Sequence, residues 1–216
     1  MRASGIWACV MALGLTSTVM AASPVPESQV KVWKAEEGFV TVMLETYNRL
    51  AKFAAALDAE KEFFAAVSAP SREGFSATVA QTKAAQQRLV ELGVMTPMNQ
   101  AGDYKFTHYG KTPSPEAVAA FTSYRTLMVG FDDNPAADEM LTAVLESVKK
   151  DPNSLPATLQ QALMEFIAFS SNFQAVQMAA AAMLGDALEQ NGNNFNSRWG
   201  LDELARARRG TTQPLN

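Results

Sequence analysis

The 216-residue chain has one cysteine, one histidine and few charges, 19% of residues, with acids (22) outnumbering bases (18). Each scarcity removes a class of function. The single cysteine, Cys9, lies in the apolar N-terminal stretch MRASGIWACVMALGLTSTVMAASPVP. Arg2, an apolar run from about Gly5 to Leu15, and small residues through Val19 and Ala21 follow the three-part plan of a secretory signal peptide. Cleavage after Ala21 or Ala22 is expected, so residues 1–22 are removed and the exported chain has no thiol for disulfide, nucleophilic or metal chemistry. Its location is expected to be periplasmic or secreted.

Loss of Arg2 leaves 17 basic against 22 acidic residues, a formal charge of −5. That balance argues against nucleic acid as a partner, since phosphate binding needs a basic face. No CxxCH, phosphate-loop or dinucleotide glycine pattern occurs, no serine stands in a nucleophile elbow, and no cofactor is expected.

Alternating apolar and polar runs are also scarce, and helical periodicity dominates. The expected fold is all-α: a helical bundle with two long helical segments, several shorter helices and one long irregular loop, forming a single domain over residues 23–210 with a loose tail at 211–216.

Met43, Leu50, Phe53, Leu57, Phe64 and Val67 recur at helical spacing, so the segment 28–68 is one helix of about forty residues, or two broken near Gly38 or Asp58. Ser71 is expected to cap a second helix that stops at Gly93, with Val94 folding back on its last turn. Met95–Pro115 is the long loop, in which YKFTHY alternates as a short strand would. Three starts then recur: SPEAV, NPAADE and SLPATL. They predict helices over Pro115–Met128 and Pro135–Lys149 and a long helix thereafter. The acids around Asn134 are read as capping, because their spacing departs from a calcium loop. A short amphipathic helix, LDELARARR, closes the pattern.

FIAFSSNFQAVQMAAAAMLG, Phe166–Gly185, carries no charge over twenty residues. That length would cross a bilayer, yet Ser170, Ser171, Asn172, Gln174 and Gln177 would need partners in lipid. Phe166, Phe169, Phe173, Val176, Ala180 and Met183 form one stripe, and Ala168, Ala175, Ala179 and Ala182 form another. Two packing faces predict a central bundle helix and no membrane span.

Four site readings follow. His108, flanked by Asp103, Tyr104, Lys105, Tyr109 and Lys111, is the natural general acid or base near neutrality. Met95, Met98 and His108 are the thioether and imidazole ligands that Cu(I) would select. Phe166, Phe169, Phe173, Met178 and Met183 would wall a cavity for an apolar ligand. Arg198, Trp199, Arg206, Arg208 and Arg209 would dock on an acidic partner or on anionic headgroups at a membrane surface.

With no catalytic constellation in view, the expected function is binding: an exported envelope protein that engages another envelope protein or itself. The alternatives are a carrier of an apolar small molecule or metal, and an enzyme centred on His108.

Overall fold

The computed structural model describes residues 25–99, 102–131, 133–151, 153–191 and 196–201, with the backbone alone for 170–174. The expected signal peptide and the LDELARARR segment beyond Leu201 lie outside the described residues.

The fold is all-α, as the periodicity predicts. Among the described residues are five helices, α1 (Glu27–Ala59), α2 (Ala69–Glu91), α3 (Pro115–Val129), α4 (Pro135–Lys150) and α5 (Ala157–Asn191), with one small antiparallel hairpin, β1 (Met95–Pro97) and β2 (Tyr104–Phe106), between α2 and α3. Helix α1 is the spine. It carries α5 along one side, while α2, α3 and β2 pack on it elsewhere and α4 packs outermost on α2.

The helix boundaries follow local chemistry. α1 runs unbroken through Gly38, which is exposed with open space around it, because the buried residues on either side hold the helix. It ends at Ala59, and Phe64 and Val67 are buried from a following turn. Ser68, not Ser71, caps α2: its hydroxyl accepts from the Ser71 N–H, which leaves Pro70 in the first turn, where a missing N–H costs nothing.

α2 stops as the sequence predicts. Gly93 takes φ +68°, its N–H donates to the Val90 carbonyl, and the Val94 N–H donates to Leu89, so a buried Val94 returns to the last turn. Ser114 and Asn134 cap α3 and α4 through their side-chain oxygens. Ser154 does not cap α5; its hydroxyl donates to the Ser147 carbonyl.

The core is aliphatic and aromatic around one buried polar knot. Asn48 on α1 accepts at Oδ1 from Gln86 Nε2 on α2 (3.0 Å) and from the Tyr124 hydroxyl on α3 (2.9 Å). Its amide donates to Met95 Sδ on β1 at 3.7 Å. One residue thus ties three helices and the hairpin together. Burial raises the Tyr124 phenol's pKa, so the group stays a neutral donor.

Asn48→Ala orphans two buried donors and is expected to destabilise by about 3 kcal/mol, whereas Tyr124→Phe removes donor and bond together and costs about 1 kcal/mol. Urea unfolding of the two variants checks the ordering.

Candidate functional site

Two features stand out, a buried clasp near the start of α1 and an apolar surface on α5. The clasp begins with Glu36, fully buried, and Glu37, nearly so. A carboxylate out of water needs donors. Glu36 receives the Ser197 hydroxyl (2.5 Å) and the backbone N–H groups of Arg198 (3.1 Å) and Trp199 (2.9 Å). Burial pushes its pKa above the usual range against these bonds, which pull it down.

Glu37 receives the Gly110 N–H (2.8 Å) and Arg198 Nη2 (2.6 Å), and Arg198 Nη1 donates to the Lys111 carbonyl. The guanidinium also lies over the Trp33 ring, 4.6 Å from its centroid. Trp33 Nε1 holds the Asn196 carbonyl at 3.1 Å.

This geometry corrects the reading of Arg198 and Trp199 as a docking surface. The Arg198 side chain is 7% exposed and is spent on Glu37. Trp199 is fully buried and packs edge-on against Phe106, His108 and Phe121. Arg206, Arg208 and Arg209 lie outside the described residues.

His108 faces Trp199 at 5.4 Å between ring centroids, and its Nε2 has no hydrogen-bond partner among the described residues. The proposed copper ligands are not brought together. Met95 is buried at the Asn48 knot, and Met98 is exposed. Met98 lies at the turn end of the hairpin, where its N–H donates to the Asp103 carbonyl at 2.7 Å, whereas His108 follows the other end of β2. Among the described residues no group of three His, Cys, Asp or Glu could hold a metal ion.

The second feature is α5. Its contacts with α1 run antiparallel: Phe166 stacks on Phe53 (4.9 Å), Arg49 lies over Phe169, and Lys52 Nζ bonds Glu165 at 2.7 Å and Asp103 at 3.4 Å. Leu159, Leu184 and Leu188 complete the buried side. Hydrogen bonding to Glu165 raises the Lys52 pKa, bonding to Lys52 lowers that of Glu165, and the Asn99 amide lowers that of Asp103.

Several of the described side chains of α5 do not enter the core, which departs from the expectation of a central bundle helix with two packed faces. Met164, Val176, Met178 and Met183 are 62%, 49%, 68% and 65% exposed. Ala175, Ala179 and Ala182 are exposed as well. At about 100° per residue, Met164, Ala175, Met178, Ala179 and Ala182 lie on the side opposite α1. Met183 and Val176 flank them.

The expected carrier wall is therefore dispersed. Phe166 packs on α1, Met178 and Met183 face outward, and the Phe173 side chain lies outside the described residues. Phe169 lines a cleft of about 260 Å³ with Glu45, Arg49, Met98 and Tyr104. Among the described residues no helix is long and apolar enough to cross a membrane.

Sequence reasoning missed Glu36, Glu37 and Asn48. Their signal was phase: Glu36 lies four residues from both Val32 and Val40, and Asn48 lies between Leu44 and Ala51, all on buried positions.

Comparison with protein-family models, with characterised proteins and with solved structures finds no match to this chain.

Arg198→Ala strands the buried Glu37 carboxylate and is expected to cost about 3–5 kcal/mol, read by urea unfolding. The Lys52 cluster is weaker. Glu165 is partly exposed, so Glu165→Gln is expected to cost about 0.5–1 kcal/mol at neutral pH after solvent screening. A lowered carboxylate pKa gives stability above the unfolded value that is lost as pH falls through the folded one. The wild-type and Glu165→Gln stabilities should therefore converge below about pH 4 in a pH series of unfolding curves.

Proposed function

We propose that the protein is an exported helical component of the cell envelope that acts by binding a partner protein along the outer face of α5. The observation that carries this reading is the placement of the charge-free segment. Twenty residues without a charge lie on an outer helix, with four large apolar side chains about half exposed or more.

Scattered apolar residues on a surface need no explanation, but a cluster does, and Ala175, Val176, Met178, Ala179, Ala182 and Met183 are exposed together near the C-terminal end of α5. Ala175 to Met183 spans about 12 Å of helix, enough for a partner helix to cross it. Alanines at 175, 179 and 182 let a partner backbone approach closely, and methionines adapt to its side chains. Apolar surface of this kind contributes about 25 cal/mol per Å² on burial, so covering it favours association.

Support for export comes from the N-terminal plan of Arg2, an apolar stretch and Ala21–Ala22. N-terminal sequencing of the protein from its host's periplasm or medium should read from Ala22 or Ser23.

A photo-crosslinking amino acid at Met178 should form an adduct with one envelope protein in living cells, and the same group at Lys149 on α4 should not. Absence of an adduct at 178, or equal adducts at both positions, would overturn the proposal.

A further inference from the structure

From residue 23 onward the chain's sulfur is all thioether. Of the 11 methionines, Met1, Met11 and Met20 precede that point, as does Cys9, and the remaining eight divide into two sets. Met43, Met95, Met128 and Met140 are at most 7% exposed and belong to the core. Met98, Met164, Met178 and Met183 are at least 62% exposed. No methionine falls between.

Exposure decides what a thioether can do. Its sulfur lone pair attacks an oxygen of hydrogen peroxide: the S–O bond forms as the O–O bond breaks, and the thioether gives up two electrons. The departing hydroxide takes the proton of the transferred hydroxyl, so the products are methionine sulfoxide and one water. The step asks only for access by a polar oxidant and for water around the leaving group. A side chain two-thirds exposed offers both, whereas one packed in the core reacts when the protein opens. Met95 is shielded further, because its sulfur already accepts from Asn48 Nδ2.

The two sets also differ in what a sulfoxide would do. The new S–O dipole must be solvated or hydrogen-bonded, so in the core it would disrupt packing. At Met98, beside the hairpin turn, and at the three α5 positions it projects into water. The fold thus keeps its reactive sulfur apart from the contacts that hold it together. Met178 and Met183 carry a second consequence. They are two of the large apolar side chains in the exposed cluster with Ala175, Val176, Ala179 and Ala182, and a sulfoxide there exchanges apolar for polar surface.

We propose that Met98, Met164, Met178 and Met183 are oxidation sites, converted to sulfoxide by peroxide while the protein stays folded, and that oxidation at 178 and 183 turns off association along α5. The second half rests on the α5 binding reading, and the first does not.

Peroxide treatment of the full exported chain, followed by proteolysis and mass mapping of every methionine, tests the first half. The exposed four should each gain one oxygen at least about tenfold faster than any of the core four, and in denaturing urea all should react at similar rates. The protein carrying four sulfoxides should unfold at the same urea midpoint as the untreated protein. A core methionine that keeps pace in the native protein, or a midpoint that falls as the four sites fill, would overturn it.

The second half is read with a photo-crosslinking amino acid at Ala179 in the host's cells. Peroxide should remove its adduct in the wild-type background and leave it in Met178→Leu/Met183→Leu, whose side chains stay apolar and take up no oxygen. Both substituted positions are exposed, and circular dichroism checks that the variant folds. An adduct that survives peroxide in the wild type, or is lost equally in both backgrounds, overturns the regulation and leaves the oxidation sites standing. No adduct before peroxide overturns the α5 reading, and the regulation with it.

Discussion

Two adjacent carboxylates on α1 that have no water must be given donors, and the rest of the chain is arranged around that demand. Neither Glu36 nor Glu37 can be satisfied from its own helix, whose backbone donors are already used. The donors come instead from Gly110, after the hairpin, and from Ser197, Arg198 and Trp199, after α5. Two distant segments are therefore drawn to one turn of α1. For residue 196 to reach Gln29 and Trp33, α5 must end near the start of α1, which is the antiparallel arrangement its side-chain contacts show. The clasp sets the register of the longest helix in the described fold.

The two polar centres differ in what they tolerate. The Asn48 knot is neutral, and one amide oxygen accepts from two buried donors, so its energetic weight lies in what a missing partner would leave behind. The clasp contains formal charge. Among the described residues Glu36 makes three hydrogen bonds and no ion pair, and burial dominates its pKa. Protonation eases that burial, because a raised carboxylate pKa means the folded state binds the proton more tightly than the unfolded chain does. Acid therefore acts in opposite directions on the two ends of α1, relieving Glu36 while weakening the salt bridges at Lys52.

Local chemistry was legible in the sequence where the signal and the structure lie within one turn of each other. Ser114, Asn134 and Gly93 each determine a boundary through groups within five residues, and the helices they bound agree with the periodicity. Ser68 was harder to see because Pro70 looks like a terminator from one side and a first-turn residue from the other. The clasp was illegible for a different reason. NSRW reads as a polar turn with an interfacial aromatic until Glu36 and Glu37, more than 160 residues away in the chain, are known to face it. Acidic residues on a helix normally mark its wet side, and only their phase with Val32 and Val40 says otherwise.

The misplacement of α5 follows from what periodicity measures. A charge-free helix has the same pattern whether a core or a partner covers it, since both burials ask for apolar side chains at helical spacing. The deciding quantity is how many neighbours the rest of the chain can supply. α2, α3 and the hairpin are tied to α1 by Asn48, and α4 is layered on α2, so the described fold offers α5 a single long neighbour. Its inner face is held at one end by Phe53, Lys52 and Arg49 and at the other by Leu184, Leu188 and the clasp. Among the described residues, the exposed side chains from Ala175 to Met183 take no part in the core, and they stand on a helix held at both ends. Binding there costs little ordering of α5 itself, which is the condition under which a modest apolar area gives useful affinity.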